Sequence, residues 1–439
     1  MNSSYDPTNF STRRKFMGRS VGTIASASAL VAGVDRSVHA ASGSDVIRLG
    51  LVGCGGRGSG AALQALTADP KTQLVAVADA FEHRLTPSLA ALKRSAVGEQ
   101  VVVDQERQFI GLDAFKKLLE TDVDVVLLAT PPAFRPLHIQ AAIEAGKHVF
   151  AEKPVAVDPA GVRIVLAATQ QARVKGLLLV VGLQTRYEPT SQEMVTRIQD
   201  GAIGDILTMS TTRFGGQTWI RPKKPGMTDV AHQVDNWHQF TWLSGDFIVE
   251  QFVHEIDRMA WIINADPLSC IATGGRQTRT GPDSGHIYDH FAATFKYSNG
   301  VMLHAATRQQ RGCLAVWEMD VAGSLGRCVG QQRSLYTFTG PKAAQLKAPP
   351  SAASRVGHQL EHDAMYAAIR KGDSINNGEY AAKSTLMAIM ARDSAYSGQQ
   401  ILWQDKLDSN ERIVDIHSLN WDTQLPQWKI AMPGIHGIT

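Results

Sequence analysis

The chain has 439 residues, of which 44% are hydrophobic and 19% are charged, and its formal net charge is +3. This length exceeds what one ordinary hydrophobic core requires, so two folded domains are expected. The composition is globular, and the nearly balanced charge shows no basic surface of the kind that binds nucleic acid. The four cysteines form no Cys-x-x-Cys pair and are too few for a disulfide scaffold.

The first 40 residues are predicted to be a twin-arginine signal peptide. Arg13-Arg14 precedes a weakly apolar run, residues 20–33, that is too short to span a bilayer. Val38-His39-Ala40 then provides fairly small residues before a cleavage site. The alternative is a disordered basic N-terminus. We expect an exported, periplasmic or extracytoplasmic protein with no membrane partner. Because this route carries folded proteins, its cofactor is expected to be tightly held.

The next segment has the pattern of a dinucleotide-binding turn. An apolar run over residues 47–52 predicts a strand, the sequence Gly53-Cys54-Gly55-Gly56-Arg57-Gly58 follows, and a helical pattern comes after it. Gly53 allows the tight turn, Gly55 lets the backbone approach a pyrophosphate, and Gly58 lets the helix pack on the strand. Arg57 is included in this cofactor site. The pyrophosphate is expected over the helix N-terminus, where N–H groups are free.

A second predicted strand, residues 73–78, ends at Asp79. An acidic side chain at this position accepts hydrogen bonds from both ribose hydroxyls and repels a 2′-phosphate, which favours NAD over NADP. Arg57 and Arg84 are the residues that would weaken this preference. The alternative is that Asp79 only caps the following helix.

Two further predicted strands end at Thr130-Pro131 and at Glu152-Lys153-Pro154. Helical segments alternate with these strands, which is typical of an α/β fold with a doubly wound parallel sheet. Ligands of such sheets bind at the carboxyl ends of the strands, where these motifs lie. The pattern therefore predicts an N-terminal Rossmann domain that binds NAD.

The glycine turn, the Thr-Pro-Pro segment and the Glu-Lys-Pro triplet together resemble the glucose-fructose oxidoreductase / inositol dehydrogenase / MocA (Gfo/Idh/MocA) family of oxidoreductases. Stretches similar to its exported bacterial members are Pro131–His138, Trp242–Asp246, Glu250–His254 and Ile287–His290. The resemblance implies a Rossmann domain, assigned here to residues 41–184. It also implies a C-terminal α/β domain, assigned to residues 185–439, with a large, open, mostly antiparallel sheet. Homo-dimer or tetramer contacts are expected on that sheet.

The resemblance also implies roles for single residues. Lys153 matches the active-site lysine of the family and is expected to touch both cofactor and substrate, and His254 matches its catalytic histidine. Glu250 stands where the family often has an aspartate, which leaves the third catalytic position open. The remaining residues expected at the cofactor are Thr130, Pro131, His138, Glu152 and Arg186.

The chemistry of hydride transfer from a carbinol carbon supports the same catalytic residues, because it needs a base and a group that stabilises the alkoxide. Glu250, His254 and Asp257 have the spacing of one helix face if residues 249–263 form a helix. A carboxylate one turn from His254 would fix its tautomer. The alternatives are a core histidine at His254, an ordinary ion-pair partner at Glu250 and a structural role for Asp257.

Side chains suited to a polyhydroxylated ligand occur mainly in the second predicted domain. Sugars are bound by directed polar groups beside aromatic faces. The residues predicted to bind the substrate are Arg186, Tyr187, Trp237, His238, Tyr288 and His290. No metal is predicted, because the sequence contains no His-Glu-x-x-His motif and His286 and His290 fall in a segment that resembles a strand.

Three functions remain open from the sequence. The first is a sugar or polyol oxidoreductase acting on CH–OH groups with tightly bound NAD, including a form that oxidises one sugar and reduces another. The second is an NAD-dependent glycosidase that oxidises a sugar carbon transiently, eliminates the aglycone, adds water and reduces again. The third is a non-catalytic sugar sensor on a Rossmann scaffold. Net consumption of an external acceptor separates the first two.

Overall fold

The computed structural model describes residues 45–331, 335–347 and 357–435. The predicted signal peptide, residues 1–40, lies outside the described residues. From Val46 onward the chain forms one compact unit that contains two β-sheets. In these ranges, no helix is both long enough and apolar enough to cross a membrane.

The first sheet has six strands in the order β3-β2-β1-β4-β5-β6, and all its neighbours are parallel. The chain builds outward from β1 in one direction and then reverses at β4, which places a crevice at the carboxyl ends of these two strands. The predicted doubly wound parallel sheet is therefore confirmed. Its strands are β1 (Ile47–Val52), β2 (Thr72–Asp79), β3 (Gln108–Ile110), β4 (Val125–Leu128), β5 (His148–Ala151) and β6 (Leu179–Val181).

Of the five helices that alternate with these strands, the first four pack against the sheet and the last packs beside the fourth. On the first helix, for example, Ala61, Ala65 and Leu66 are buried. The last helix begins where the Asp158 carboxylate accepts the Gly161 N–H at 2.8 Å, which satisfies a free donor of the first turn. The helices are α1 (Gly56–Ala68), α2 (Glu82–Lys93), α3 (Ala114–Leu119), α4 (Arg135–Glu144) and α5 (Pro159–Lys175).

The second sheet has nine strands in the order β14-β13-β12-β11-β7-β10-β9-β8-β15. Strands β7 and β10 are parallel, and the other pairs of neighbours are antiparallel. The predicted large and mostly antiparallel sheet is thus confirmed. The strands are β7 (Ile206–Gly215), β8 (Ser269–Gly275), β9 (His290–Lys296), β10 (Met302–Gln309), β11 (Val316–Gly323), β12 (Arg327–Gln331), β13 (Leu335–Thr339), β14 (Ala344–Lys347) and β15 (Ile401–Leu402).

Helix α12 joins the two sheets into one core, because it packs against α5 on one side and against β8 and β9 on the other. Its buried Leu386 and Ile389 belong to an apolar cluster that includes Val149 of the first sheet and Phe295 of the second. The helices after β6 are α6 (Pro189–Gln199), α7 (Asp229–Asp235), α8 (Thr241–Ser244), α9 (Phe247–Glu250), α10 (Val253–Ile263), α11 (Gly357–Lys371), α12 (Gly378–Ser397) and α13 (Trp403–Asp408).

The chain after α13 forms a C-terminal strap, residues 409–435, that lies across both parts of the molecule. The Ile413 N–H donates to Asp158 at 3.1 Å beside α5. The Trp421 ring packs 5.4 Å from the ring of Phe81, just beyond β2. The carbonyl of Ala431 accepts the Tyr288 hydroxyl at 2.8 Å, next to the second sheet. The strap therefore ties the Rossmann part of the chain to the second sheet.

The single helix predicted over residues 249–263 is wrong, because the structure divides it into α9 and α10. At the break, the carbonyl oxygen of Glu250 accepts a hydrogen bond from Lys153 Nζ at 2.5 Å. Glu250 is the last residue of α9, whereas His254 and Asp257 lie on α10. The three side chains consequently do not form one continuous helix face.

Candidate active site

The glycine turn between β1 and α1 fits the pyrophosphate of a dinucleotide. Gly53 has a φ of +97°, and a Cβ atom on Gly58 would lie 1.8 Å from the Gly53 carbonyl oxygen, so both positions require glycine. Around Gly55 and Gly56, by contrast, a Cβ atom would meet no atom within 4 Å. No side chain caps the start of α1. Open backbone N–H groups at a helix N-terminus form a ready anion site.

Asp79 ends β2 beside this turn and holds the two segments together. Its carboxylate accepts the Cys54 N–H at 2.6 Å and the Phe81 N–H at 2.9 Å. Burial raises the pKa of Asp79, although these hydrogen bonds and the nearby Arg84 oppose the rise. Each carboxylate oxygen has a further lone pair for a ribose hydroxyl.

A small pocket next to Asp79 is lined by Thr130, Pro131 and His138. The Thr130 hydroxyl lies 3.2 Å from His138 Nδ1. Burial, helped by the positive charge of Arg135, lowers the pKa of His138 to about 3. His138 is therefore neutral at ordinary pH and contributes an uncharged imidazole to the predicted cofactor site.

A larger cleft of about 310 Å³ lies between the end of β5 and helices α9 and α10. It contains the three predicted catalytic residues together with side chains from both sheets. The residues that line it are Arg57, Ala129, Thr130, Pro132, Arg135, Glu152, Lys153, Gln184, Arg213, Trp237, Glu250, Gln251, His254 and His358.

Lys153 donates a hydrogen bond to Glu250 in this cleft, and His238 contacts the same carboxylate from behind it. Lys153 Nζ lies 2.9 Å from Glu250 Oε1, and His238 Nε2 lies 3.2 Å from Glu250 Oε2. Burial opposes the ionisation of Glu250, but the positive charge of Lys153 and the contact with His238 outweigh it and hold the pKa of Glu250 well below its usual value. Glu250 is thus an ionised carboxylate held between Lys153 and His238.

His254 lies on α10 and faces the same cleft. Burial lowers the pKa of its imidazole well below the usual value, and the charges of Lys153 and Arg213 lower it further. Its Nδ1 atom is buried and has no hydrogen-bond partner. The carboxylate of Glu250, expected to orient His254, instead contacts Lys153 and His238. His254 is therefore a neutral imidazole.

Glu152 connects the catalytic cleft to the glycine turn. Its carboxylate lies 2.6 Å from Arg57 Nε. The carboxylate packs against Gly182, where a Cβ atom would lie 2.9 Å from Glu152 Oε2. Glycine at position 182 therefore gives Glu152 the room to face Arg57 and the predicted cofactor site.

Arg186 and Tyr187 do not reach the cleft, contrary to the prediction. The Arg186 guanidinium donates to the buried Asp257 at 2.9 Å and stacks on the Tyr380 ring at 3.8 Å. The Tyr187 hydroxyl donates to Asn377 at 2.7 Å. A buried carboxylate and an aromatic ring thus engage Arg186, and a side-chain amide engages Tyr187. Asp257 is accordingly structural.

Tyr288 and His290 also lie outside the set of residues that line this cleft. Tyr288 is buried, and its hydroxyl donates a hydrogen bond to the carbonyl of Ala431 in the C-terminal strap. His290 begins β9, and its Nδ1 lies 2.9 Å from Asp289. The structure thus places both residues outside this cleft, with Tyr288 bonded to the distant C-terminal strap and His290 in contact with its neighbour Asp289.

Seven residues that line the cleft were not among the predicted site residues: Ala129, Pro132, Arg135, Gln184, Arg213, Gln251 and His358. Arg135 is buried and donates to the carbonyl of Pro154 at 2.5 Å. Arg213 donates to the carbonyl of Gln251 at 3.3 Å, and His358 reaches the cleft from α11. Ala129, Pro132 and Arg135 lie in or beside the Thr-Pro-Pro segment, and Gln251 directly follows Glu250, so these four had a local signal. Gln184, Arg213 and His358 are brought in by other parts of the chain.

Where the structure describes the chain, it contains no group of three or more His, Cys, Asp or Glu side chains able to hold a metal ion.

Comparison with known proteins places both halves of the chain in one family. Residues 47–182 match the Gfo/Idh/MocA oxidoreductase family, NAD-binding Rossmann fold, and residues 191–329 match the Gfo/Idh/MocA C-terminal domain. The chain is 27% identical to an inositol 2-dehydrogenase of Rhizobium meliloti over 58% of this chain and 66% of that protein. It is 30% identical to glycosyl hydrolase family 109 protein 1 of Bacteroides fragilis over 37% of this chain and 33% of that protein.

The fold is also that of a solved levoglucosan dehydrogenase in complex with NADH and levoglucosan. The TM-score is 0.64 at 17% sequence identity, covering 81% of this chain and 99% of that one. The sequence matches to the curated relatives extend over less than two thirds of the length of those proteins.

Proposed function

Because the chain belongs to the Gfo/Idh/MocA family of NAD-binding Rossmann oxidoreductases, we propose that it transfers hydride between a nicotinamide dinucleotide and a carbinol carbon of a sugar or polyol. The observation that carries the proposal is the cleft that combines Lys153, Glu250, His238 and His254 at the carboxyl edge of the parallel sheet. That edge also holds the glycine turn. The inositol and levoglucosan dehydrogenases named above support the substrate class.

In the proposed reaction the protein residues position the substrate hydroxyl and manage its proton. The bound nicotinamide supplies the hydride acceptor or donor. Lys153, held by Glu250, provides a positive N–H group that stabilises an alkoxide oxygen. His254 lines the same cleft as Lys153, and its imidazole accepts the hydroxyl proton. Glu250 keeps Lys153 and His238 in place.

We propose NAD rather than NADP as the resident cofactor. Asp79 supports this choice, because a carboxylate at the end of β2 favours the two ribose hydroxyls. The two arginines able to attract a 2′-phosphate are both engaged by carboxylates. Arg57 lies 2.6 Å from Glu152, and Arg84 lies 2.6 Å from Asp235.

The proposal includes tight retention of the cofactor in an exported enzyme. Export rests on the twin-arginine segment of residues 1–40. Retention is supported by the C-terminal strap, whose Trp421 packs on Phe81, two residues after Asp79. A strap fastened to both parts of the molecule restricts opening of the crevice. We also propose a homo-oligomer, because the second sheet exposes apolar side chains such as Leu207 and Ile271.

A second candidate function is the redox-neutral glycosidase. It is favoured by the match to glycosyl hydrolase family 109 protein 1 of Bacteroides fragilis. An oxidised sugar carbon acidifies the neighbouring C–H, and His254, which lines the cleft, is the candidate base for its proton. Tyr187, the other base considered from the sequence, is bound to Asn377 instead.

The test uses protein purified without added cofactor. Bound dinucleotide is measured after denaturation, and myo-inositol, levoglucosan, glucose and a set of aryl glycosides are then added while NADH absorbance is followed. Retained NAD and NADH formed in proportion to protein support the oxidoreductase. Glycoside cleavage without accumulation of NADH selects the glycosidase. Protein without dinucleotide and without turnover refutes both.

A further inference from the structure

The rim of the catalytic cleft carries a tryptophan that the proposed chemistry does not use. Trp219 lies in the irregular segment between β7 and α7, and 38% of its surface is exposed. Its carbonyl accepts the Gln239 side chain at 2.7 Å, and the nearby Arg221 N–H donates to Asn236 at 2.9 Å. These contacts anchor the segment to α7 and the turn after it. A large apolar ring is therefore held at the surface in a defined place.

Trp219 is directly adjacent to the catalytic cluster. Its ring centroid lies 6.0 Å from that of Trp237 and 6.0 Å from that of His238. Trp237 lines the cleft, and His238 contacts Glu250. The two indole rings are close to perpendicular, with an interplanar angle of 71°. The aromatic surface thus continues from the catalytic cleft outward to the solvent.

Polar groups surround this aromatic surface. The Arg221 guanidinium stacks over one face of the Trp219 ring, 3.8 Å from its centroid, so the surface that a sugar can contact is the opposite face and edge of the ring. The Thr218 hydroxyl lies 3.1 Å from His238 Nδ1. An aromatic surface beside directed donors matches a pyranose, which has an apolar C–H face and a polar rim of hydroxyls. A purely apolar ligand would leave these donors without hydrogen-bond partners, which disfavours its binding.

We propose that Trp219, Trp237 and Arg221 form a subsite for a second sugar ring, the one joined to the ring that reacts in the cleft. The preferred substrates are then disaccharides rather than free monosaccharides. This inference rests on the proposed function, because it assumes that a sugar occupies the cleft next to Lys153. It extends the proposed function by predicting the size of the substrate, which the catalytic residues do not define.

The test compares Trp219→Ala and Trp219→Phe with the matched control Val174→Ala, which removes an exposed apolar group at the end of α5. NADH formation is measured with glucose and with cellobiose, maltose and lactose. We expect Trp219→Ala to raise the KM for the accepted disaccharide about tenfold, the effect of losing one ring contact of ~1.4 kcal/mol. The KM for glucose should not change, and Trp219→Phe should restore most of the loss. Equal effects on glucose and disaccharide, or a wild-type preference for glucose, would overturn the subsite.

Calorimetric binding of the same sugars to the NAD-loaded protein separates failure of the subsite from failure of the proposed function. If no sugar yields NADH but cellobiose, maltose or lactose binds the wild type more tightly than Trp219→Ala, the hydride-transfer proposal fails and the subsite stands. If glucose is oxidised and none of the disaccharides shows weaker binding to Trp219→Ala, the subsite fails alone. Thermal unfolding of each variant identifies any loss of binding or activity that comes from misfolding. If Trp219→Ala is misfolded, the comparison of Trp219→Phe with the wild type decides the outcome.

Discussion

Replacing Glu250 by Gln tests the central electrostatic contact of the cleft while keeping the shape of the side chain. At the observed 2.9 Å between Lys153 and Glu250, the attraction is about 6 kcal/mol at an effective dielectric constant of ~20, before the cost of desolvation. Lys153 keeps its second hydrogen bond, to the carbonyl of residue 250. We therefore expect a net loss of about 3 kcal/mol in transition-state stabilisation, which is roughly a 100-fold fall in kcat.

The assay is the steady-state rate of NADH formation with the best sugar found in the panel, in protein whose dinucleotide content has been measured. We expect kcat to fall while KM stays near the wild-type value, because the positive group acts on the alkoxide that forms during the reaction. Glu379→Gln serves as the matched control, since Glu379 pairs with Arg173 on the surface. A Glu250→Gln variant with normal kcat would refute the reasoning, as would an equal loss in the control.

Three further predictions concern the cofactor and stability. The Asp79→Asn variant should bind NAD less tightly and should prefer NAD over NADP by a smaller factor. Titration of the dinucleotide-free protein with each dinucleotide gives the two Kd values, and an unchanged ratio of these values would contradict the role of Asp79. Trp421→Ala should speed the loss of dinucleotide during gel filtration, because it removes the ring contact with Phe81; unchanged retention would contradict the strap argument. Burial holds the pKa of His362 at about 3, so below the unfolded value of about 6.5 the unfolded chain binds a proton that the folded chain does not. Lowering the pH from 7 to 5 therefore reduces the free energy of unfolding by about 2 kcal/mol through this residue. His362 packs on Phe150, so His362→Phe keeps an aromatic ring there and should remove this pH-dependent loss. Urea titrations of both proteins at the two pH values measure the difference.

The parallel sheet was predictable from the sequence because its signals are local. Apolar runs, glycine spacing and strand-end motifs each lie within a few residues, and they agree with one another. The second sheet came from the family resemblance, since strand pairs such as β7 with β10 join segments far apart in the chain. The division of the predicted helix at Glu250 had no local signal. It depends on the contact with Lys153, which is 97 residues away.

The site was predicted unevenly for the same physical reason. Lys153, Glu250 and His254 were identified by motif, and the structure brings them together in one cleft. Arg186 and Tyr288 are polar residues next to motifs, but buried partners such as Asp257 and Ala431 hold them elsewhere. Only tertiary contacts determine whether a polar residue next to a motif reaches the site. Sequence neighbours of a motif are weaker predictions than the motif itself.

The most direct test of hydride transfer follows a label from substrate to cofactor. NAD-loaded protein is mixed with the best sugar of the panel carrying deuterium at its carbinol carbons, and the dinucleotide released by denaturation is analysed by mass spectrometry. We expect deuterium in the nicotinamide ring with the wild type and little or none with Lys153→Ala. A dinucleotide that stays unlabelled while the wild type converts the sugar would contradict the proposed function.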